Sequence, residues 1–190
     1  MRPKAILAGV SIGIASLMFL KIGGIVGAIL FSFGLIVVVS NKWELFTGMS
    51  GFHQKGEVPK LISVLLFNII GCILVSLLAP TAVCPIILSR LSTGWLTCFF
   101  LAIGCGFIMS EAVYHSREGN WLPLLFGVPV FILCGFPHCV ADVVYYASCP
   151  IWFLCSHWVE IASIYVSTII GNYIGCNLRK IATWRKFCSC

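Results

Sequence analysis

The chain alternates long apolar runs with short polar breaks. A helix that crosses the hydrocarbon core of a bilayer needs about 20 mostly apolar residues. Six runs reach or approach this length: residues 5–20, 25–40, 61–79, 93–109, 121–146 and 151–178. The pattern predicts an all-α polytopic membrane protein with six transmembrane helices, in which residues 1–190 form a single transmembrane domain.

Charged residues are too few to cover a water-exposed surface. They make up 9% of the chain, whereas a soluble domain usually carries about 25%. Because the apolar runs recur to the C-terminus, a signal peptide followed by a soluble domain is also excluded. The net charge of +6 is typical of cytoplasmic loops in a membrane protein and does not indicate a nucleic-acid partner.

Two of the six runs are interrupted. The second run ends in residues 41–44, Asn-Lys-Trp-Glu, and the fifth contains residues 135–138, Gly-Phe-Pro-His. Irregular backbone at membrane depth is tolerated only where it is buried in protein or lines a cavity. The pattern therefore predicts that the second and fifth helices are broken, with a site near the middle of the membrane.

A short motif recurs in the third and sixth runs. Residues 68–72 read Asn-Ile-Ile-Gly-Cys, and residues 172–176 read Asn-Tyr-Ile-Gly-Cys. Together with the matching breaks, this motif predicts two three-helix repeats, residues 5–79 and 93–178. Because each repeat has an odd number of spans, the second is inverted relative to the first. We expect Thr47 to be the counterpart of His138 in the first half.

The basic residues predict the orientation, because cytoplasmic loops accumulate Lys and Arg. With the N-terminus inside, nine of the twelve basic residues fall on the cytoplasmic side: Arg2, Lys4, Lys55, Lys60, Arg117, Arg179, Lys180, Arg185 and Lys186. Lys21 and Arg90 fall outside, and Lys42 lies at the first break. We therefore expect both termini in the cytoplasm, with residues 179–190 as a cytoplasmic tail.

His138 is the strongest candidate for a functional side chain. An ionisable group in the middle of a span is costly and by default marks an ion or proton pathway. An imidazole there can donate a proton to a passing anion or share a hydrogen bond with it. The alternative is a structural histidine satisfied by backbone carbonyls. Asp142, four residues on, is a candidate for proton coupling: it either pairs with His138 or faces a neighbouring helix or subunit.

Thr47 and Asn172 extend the predicted polar pathway. Thr47 follows Leu45 and Phe46, so its hydroxyl is flanked by bulky apolar groups, which suits a polar contact between hydrophobic gates. The same position suits an ordinary helix cap. Asn172 and Asn68 lie within spans, where an amide either contacts the pore or hydrogen-bonds a neighbouring helix.

The sequence contains no motif for catalysis or cofactor binding. It has no nucleotide-binding loop, zinc-ligand spacing or nucleophile–base pair, so we predict no cofactor, no metal and no enzyme activity. Most of the eleven cysteines lie inside apolar runs, where Cys behaves as a small hydrophobic residue. For Cys188 and Cys190, the sequence favours a plain reduced tail over a metal or lipid role.

Four segments resemble the formate/nitrite transporter family. Residues 44–48, Glu-Leu-Phe-Thr-Gly, are similar to the family signature between the halves of its split second helix. Residues 135–142, Gly-Phe-Pro-His-Cys-Val-Ala-Asp, are similar to the family's Gly-Phe-Glu-His-Ser-Val-Ala-Asn. Residues 171–175, Gly-Asn-Tyr-Ile-Gly, resemble its Gly-Asn-Ile-Ile-Gly, and residues 94–98 resemble its Asn-Trp-Leu-Val-Cys. The chain resembles a short, divergent member of the family.

The resemblance implies an aquaporin-like protomer in a homo-pentamer. Each protomer's pore would carry small monovalent weak-acid anions such as formate or nitrite across a bacterial-type plasma (inner) membrane, in contact with lipid. Five apolar residues match the family's hydrophobic constrictions: Phe31, Leu35, Leu45 and Phe46 for one, and Phe131 for the other. Three polar residues match its substrate pathway: Thr47, His138 and Asn172.

The chain departs from the family pattern beside the central histidine. Pro137 replaces the family's Glu, Cys139 its Ser and Asp142 its Asn. Gly94 replaces an Asn, and Arg90 is at most a substitute for the family's basic residue near the fourth helix. Two alternatives stay open: a hydrosulfide or ammonia-like channel on the same scaffold, and a non-transporting membrane scaffold.

Overall fold

The computed structural model describes residues 2–54 and 56–184, and every regular element in that part of the chain is an α-helix. The helices are α1 (Pro3–Ile22), α2 (Gly24–Ser40), α3 (Phe46–Ser50), α4 (Val58–Ser76), α5 (Pro85–Thr93), α6 (Trp95–Arg117), α7 (Leu122–Leu133), α8 (Asp142–Ala147), α9 (Ile151–Ser156) and α10 (Trp158–Trp184). The predicted all-α class is confirmed.

Four of these helices, α1, α4, α6 and α10, are long and apolar enough to cross a membrane. The helices α2 and α7 are also apolar but have only 17 and 12 residues. Each is followed by an irregular stretch and then by a short helix, α3 or α8. The two interruptions therefore lie in the second and fifth runs, as the sequence predicted.

The helix boundaries differ from the prediction in the second half of the chain. Residues 80–92, which lie between the third and fourth predicted runs, contain most of α5. This helix begins at Pro85, and proline is well tolerated in the first turn of a helix. The run 151–178 divides at His157 into α9 and α10. Because α10 continues to Trp184, the described part of the predicted tail is helical. Cys188 and Cys190 lie outside the described residues.

Two helix pairs cross at very close range. Gly9 of α1 lies against the backbone of Asn68 in α4, and Gly106 of α6 lies against the backbone of Asn172 in α10. At both glycines an added Cβ would overlap a carbonyl oxygen. Small residues at a crossing let two backbones approach, as is common between helices in membranes. The two crossings place Asn68 and Asn172 in the interior, beside the breaks.

Large apolar side chains face outward on all four long helices. Leu7, Leu66, Phe100 and Val166, one from each helix, are all more than two-fifths exposed. In water such a surface would promote association, whereas in a bilayer it meets lipid tails. By contrast, Thr47, just after the first break, and His138, in the second, are buried inside.

Candidate functional site

The two broken helices end in the same backbone turn. At the end of α2 the turn residue is Lys42, with φ of 52°, and at the end of α7 it is Gly135, with φ of 68°. The next N–H group, that of Trp43 or Phe136, donates to the carbonyl five residues earlier, at 2.9 and 2.8 Å. This is the Schellman arrangement, which needs a left-handed residue at the turn. It pairs Lys42 with Gly135, 93 positions later.

A buried amide binds the backbone of the first break. Asn68 of α4 accepts a hydrogen bond from the Phe46 N–H at 2.9 Å. Its amino group donates to the carbonyls of Ala5 and Glu44, at 2.8 and 2.9 Å. Because backbone groups at membrane depth need partners within the protein, the bonds to Phe46 and Glu44 satisfy groups that the broken helix leaves without intrahelical partners.

Asn172 of α10 repeats this pattern at the second break. It accepts from the Cys139 N–H at 2.8 Å and donates to the carbonyls of Ala102 and Pro137, at 2.9 and 3.0 Å. Both N–H groups of the amide are therefore bound to backbone, and the side chain lines neither of the two cavities described below. Asn172 therefore joins α10 to α6 and to the second break through hydrogen bonds to backbone.

The repeated bonds change the counterpart of His138. Phe46 corresponds to Cys139, again 93 positions later. In this register Leu45 corresponds to His138, and Thr47 corresponds to Val140. The prediction that paired Thr47 with His138 is therefore wrong by two residues, because the register of the breaks is defined by the backbone groups that the two asparagines bind.

Two cysteine thiols support the same register. Cys72 donates to the carbonyl of Val140, and Cys176 donates to the carbonyl of Thr47, both at 3.3 Å. Each thiol also donates to a glycine carbonyl in its own half of the chain, at 3.2 Å. The cysteines of the recurring motif thus join each half to the break of the other half.

Thr47 and His138 meet at the centre of the molecule. The Thr47 Oγ1 and His138 Nε2 atoms are 3.0 Å apart, and the two residues are 0% and 1% exposed. The other ring nitrogen, Nδ1, accepts the N–H of Ala141 at 3.1 Å. A nitrogen that accepts carries no proton, so the neutral ring bears its proton on Nε2 and donates it to Thr47. The ring is satisfied by a backbone N–H rather than by backbone carbonyls.

Two phenyl rings adjoin the histidine on one side. Phe131 stacks on His138 with ring centroids 5.7 Å apart, and Phe31 meets Phe131 edge-on at 6.0 Å. All three side chains line a cavity of about 230 Å³, which we call the outer cavity. Arg90 and Asp142 also line it. Phe31 and Phe131, which were predicted to lie in different constrictions, therefore line the same cavity.

A second cavity of about 610 Å³ lies on the other side, and we call it the inner cavity. Its lining includes Leu35 and Leu45, with Lys42, Glu44 and Arg117. The four predicted residues of the first constriction are thus divided, since Phe31 lines the outer cavity.

Phe46 lines neither cavity. Its side chain lies in a separate apolar recess with Leu61, Leu65 and Tyr173, between α3, α4 and α10. Successive residues at the start of a helix point in different directions, so Leu45 and Phe46 do not share a face. Phe46 is placed to anchor α3 against its neighbours.

Arg90 was not among the predicted site residues; it was assigned to the outer side and was at most a substitute for the family's basic residue near the fourth helix. The Arg90 Nε atom lies 3.3 Å from the Asp142 Oδ2 atom, and both side chains are less than a tenth exposed. Arg90 also donates to the carbonyl of Gly135 in the second break. The contact between Asp142 and His138 is a backbone one, from the Asp142 N–H to the His138 carbonyl at 2.9 Å. The Asp142 carboxylate thus pairs with a neighbouring helix.

The inner cavity has charges of its own. Glu44 pairs with Arg2 at 3.1 Å. Arg117 donates to the carbonyl of Gly48 at 3.4 Å, and its guanidinium lies 4.2 Å above the ring of Phe52. One carbonyl in each half of the chain is therefore bound by an arginine that lines a cavity, that of Gly135 in the second break and that of Gly48 in α3, just after the first.

Residues 2–182 match the sequence model of the formate/nitrite transporter family. The chain belongs to the formate/nitrite transporter family. It is an integral membrane protein, and the family consists of transporters rather than enzymes, in agreement with the sequence prediction. Among residues 2–54 and 56–184, no group of three or more His, Cys, Asp or Glu side chains is arranged to hold a metal ion.

Other proteins share this fold. The chain is 27% identical over 182 residues to the uncharacterized transporter YrhG of Bacillus subtilis (strain 168), covering 82% of this chain and 68% of that protein. A solved FNT family ion channel superposes with a TM-score of 0.82 at 19% identity, over 97% of this chain and 88% of that one. A pentameric formate channel with formate bound gives 0.75 at 22% identity, over 97% and 94%. Family and fold support an anion channel.

Proposed function

We propose that the protein conducts small monovalent weak-acid anions, such as formate or nitrite, between the outer and inner cavities past Thr47 and His138. The observation that carries the proposal is the fully buried contact between Thr47 Oγ1 and His138 Nε2. His138 lines the outer cavity, and Leu45 and Gly48, on either side of Thr47 in the chain, line the inner cavity. A buried polar pair between two cavities is a natural relay for a polar solute. The paired phenyl rings outside and the leucines inside then act as gates.

The apolar gates discriminate against hydrated ions. An anion that leaves the outer cavity loses its water next to Phe31 and Phe131, and desolvation of a full charge in apolar surroundings is very costly. A weak acid can reduce this cost by binding a proton or by accepting a strong hydrogen bond. Leu35 and Leu45 impose the same condition on the inner side.

His138 serves as a hydrogen-bond donor in this mechanism. Because Nδ1 accepts the Ala141 N–H, the ring carries one proton, on Nε2. Permanent loss of that proton would leave an imidazolate, which is far too basic to persist, so the ring shares the proton with the anion. The Thr47 hydroxyl offers a second donor when the anion takes its place beside Nε2.

Arg90 attracts the anion into the outer cavity. Its guanidinium lines that cavity and is buried, so its field is screened less than that of a surface charge. Asp142 offsets part of this attraction, which keeps binding weak enough for release. Asp142 therefore takes over the charge of the Glu that the family carries where this chain has Pro137.

The repeated hydrogen bonds support six spans in two inverted three-helix repeats. Both termini then lie on one side, and the basic residues favour the cytoplasm of a bacterial-type cell. The fold is similar to that of a pentameric formate channel, so we infer a homo-pentamer with one pore per protomer, surrounded by lipid.

Formate flux into proteoliposomes tests the role of His138. Wild-type uptake is expected to rise as external pH falls, because more formate is protonated. Replacement His138→Phe removes the shared proton and is expected to reduce formate flux about tenfold or more. A tenfold reduction corresponds to a transport barrier that is higher by roughly 1.4 kcal/mol. His157→Phe, outside both cavities, is the matched control. His138→Asn retains an acceptor for Ala141 and guards against a folding defect. Wild-type flux with an unchanged pH response in both His138 variants contradicts the proposal.

A substrate panel separates the alternatives. Hydrosulfide is a weak-acid anion and would also be attracted by Arg90, so competition among formate, nitrite and hydrosulfide ranks them directly. An ammonia-like pore predicts flux of ammonia with no competition by these anions. A non-transporting scaffold predicts no flux of any of them.

A further inference from the structure

Cys84 and Cys149 lie in the two loops that precede the short helices α5 and α9. Cys84 is followed by Pro85, the first residue of α5, and Cys149 by a proline that precedes Ile151, the first residue of α9. Both thiols are free, and the residues are 8% and 6% exposed. Neither residue belongs to an apolar helix that could cross the membrane. The transport pathway uses neither of them.

A backbone hydrogen bond ties these two loops together. The Ala82 N–H donates to the Ser148 carbonyl at 3.0 Å, two residues before Cys84 and one before Cys149. Burial raises the pKa of the Cys149 thiol to about 11, and the thiol and backbone N–H of Cys84 are close enough to influence it as well. Burial also raises the pKa of Cys84. The main-chain bond thus holds the two cysteine-bearing loops side by side, and both thiols are protonated.

The cysteines lie at the ends of two walls of the outer cavity. The helix α5 contributes Ser89 and Arg90 to that cavity, and α8 contributes Asp142 and Tyr145. Cys84 immediately precedes α5, and the other thiol comes just after α8. A covalent bond between the thiols would fix the two walls relative to each other.

We propose that Cys84 and Cys149 form a reversible disulfide that locks the walls of the outer cavity. In the orientation proposed above both lie on the outer side of the membrane, where disulfides persist. Formation of the bond is independent of what the protein transports. Its effect on flux rests on the proposed function.

The reaction is an exchange with a low-molecular-weight disulfide. One protein thiolate attacks a sulfur of the reagent, forms a mixed disulfide and releases one thiolate. The second protein thiolate attacks the protein sulfur of the mixed disulfide, which closes the Cys84–Cys149 bond and releases the second thiolate. Two electrons pass from the protein to the reagent, and the two released thiolates take up the two protons.

Peptide mapping tests whether the bond forms. Full-length protein in liposomes is treated with oxidised glutathione, digested without reductant and analysed by mass spectrometry. We expect a linked peptide containing Cys84 and Cys149, absent in Cys84→Ser and in Cys149→Ser. Cys155→Ser, which removes an exposed thiol of α9, should retain the link. Linkage of Cys84 to another cysteine, or none at saturating reagent, overturns the proposal.

Formate flux tests the consequence. Oxidation is expected to slow wild-type flux roughly twofold or more, because cavity walls that must move are held together. Dithiothreitol should restore the flux, and Cys149→Ser should not respond to the reagent. An equal response of wild type and Cys149→Ser contradicts the lock. If the linked peptide forms although the reduced protein conducts no formate, the disulfide stands and the proposed transport function fails.

Discussion

The two breaks share a backbone design and differ in the chemistry they carry. Both follow a helix that ends at a residue with positive φ, and both are bound by an asparagine from a long helix. At equivalent positions, however, the first break has Leu45 where the second has His138. The first also has Thr47 where the second has Val140. Each half of the chain therefore contributes one polar side chain to the buried centre, Thr47 or His138, but from non-equivalent positions.

This difference shows how one scaffold yields a single polar centre. Matched positions would place two histidines or two leucines symmetrically about the centre. The offset lets the Thr47 hydroxyl reach His138 at 3.0 Å while Leu45 faces the inner cavity. The backbone bonds maintain the breaks, and the side chains between them are free to differ.

The largest expected effect comes from removing the amides. Asn68→Ala and Asn172→Ala each leave three buried backbone groups without their partner, which we expect to cost about 2–4 kcal/mol. Because the bonds match one for one, the two losses should be similar. Thermal unfolding in detergent, followed by size-exclusion chromatography, measures both.

Asn177→Ala is the matched control for the amide variants. Asn177 lies on α10 as well, but it makes a single bond to the Tyr173 carbonyl in its own helix, at 2.8 Å. Its loss should be small. A large stability difference between the Asn68 and Asn172 variants would show that the two breaks are not equivalent.

A medium effect is expected from the ion pairs beside the breaks. Asp142→Asn leaves Arg90 buried without its counter-charge and should destabilise the protein by about 2 kcal/mol. Glu44→Gln removes the partner of Arg2, a pair that is a quarter to a third exposed, and should cost about 0.5 kcal/mol. Unfolding in a denaturing detergent compares the two variants. Equal costs would contradict the view that the second break carries the tightly held charge.

The smallest expected effect comes from the two thiols that join the halves. Cys72→Ala and Cys176→Ala each lose weak sulfur bonds and a small volume, which we expect to cost about 1 kcal/mol. The values should agree with each other, since both thiols bind equivalent carbonyls. Thermal stability of the two variants, with Cys134→Ala at an exposed site as control, measures this. If only one of the two cysteine variants lost stability, the two thiols would not be equivalent.

Much of the fold was predictable from the order of residues. Runs of apolar residues indicate spans because lipid selects for them along the whole helix. The first break stands out by charged residues such as Lys42, and the second by the sequence Gly-Phe-Pro-His at residues 135–138. His138 was identifiable for the same reason. The motif around Asn68 and Asn172 pointed to the repeat, whereas the predicted pairing of Thr47 with His138 was wrong by two residues.

Other parts of the site could not be predicted. Arg90 looked like a loop charge because its partner Asp142 is 52 residues away. Phe46 matched a constriction by its motif, but α3 turns it toward α4 and α10. No local pattern reports which way a side chain points at the start of a five-residue helix.

The sequence by itself determined that this chain lies in a membrane, where its helices are broken and which family it resembles. These properties follow from local composition, because the bilayer acts on every residue of a span alike. The tertiary structure decided which side chains meet. Three contacts depend on how the helices cross: the contact of His138 with Thr47, the ion pair of Arg90 with Asp142, and the contact between the loops that hold Cys84 and Cys149. Those crossings bring together positions far apart in the chain.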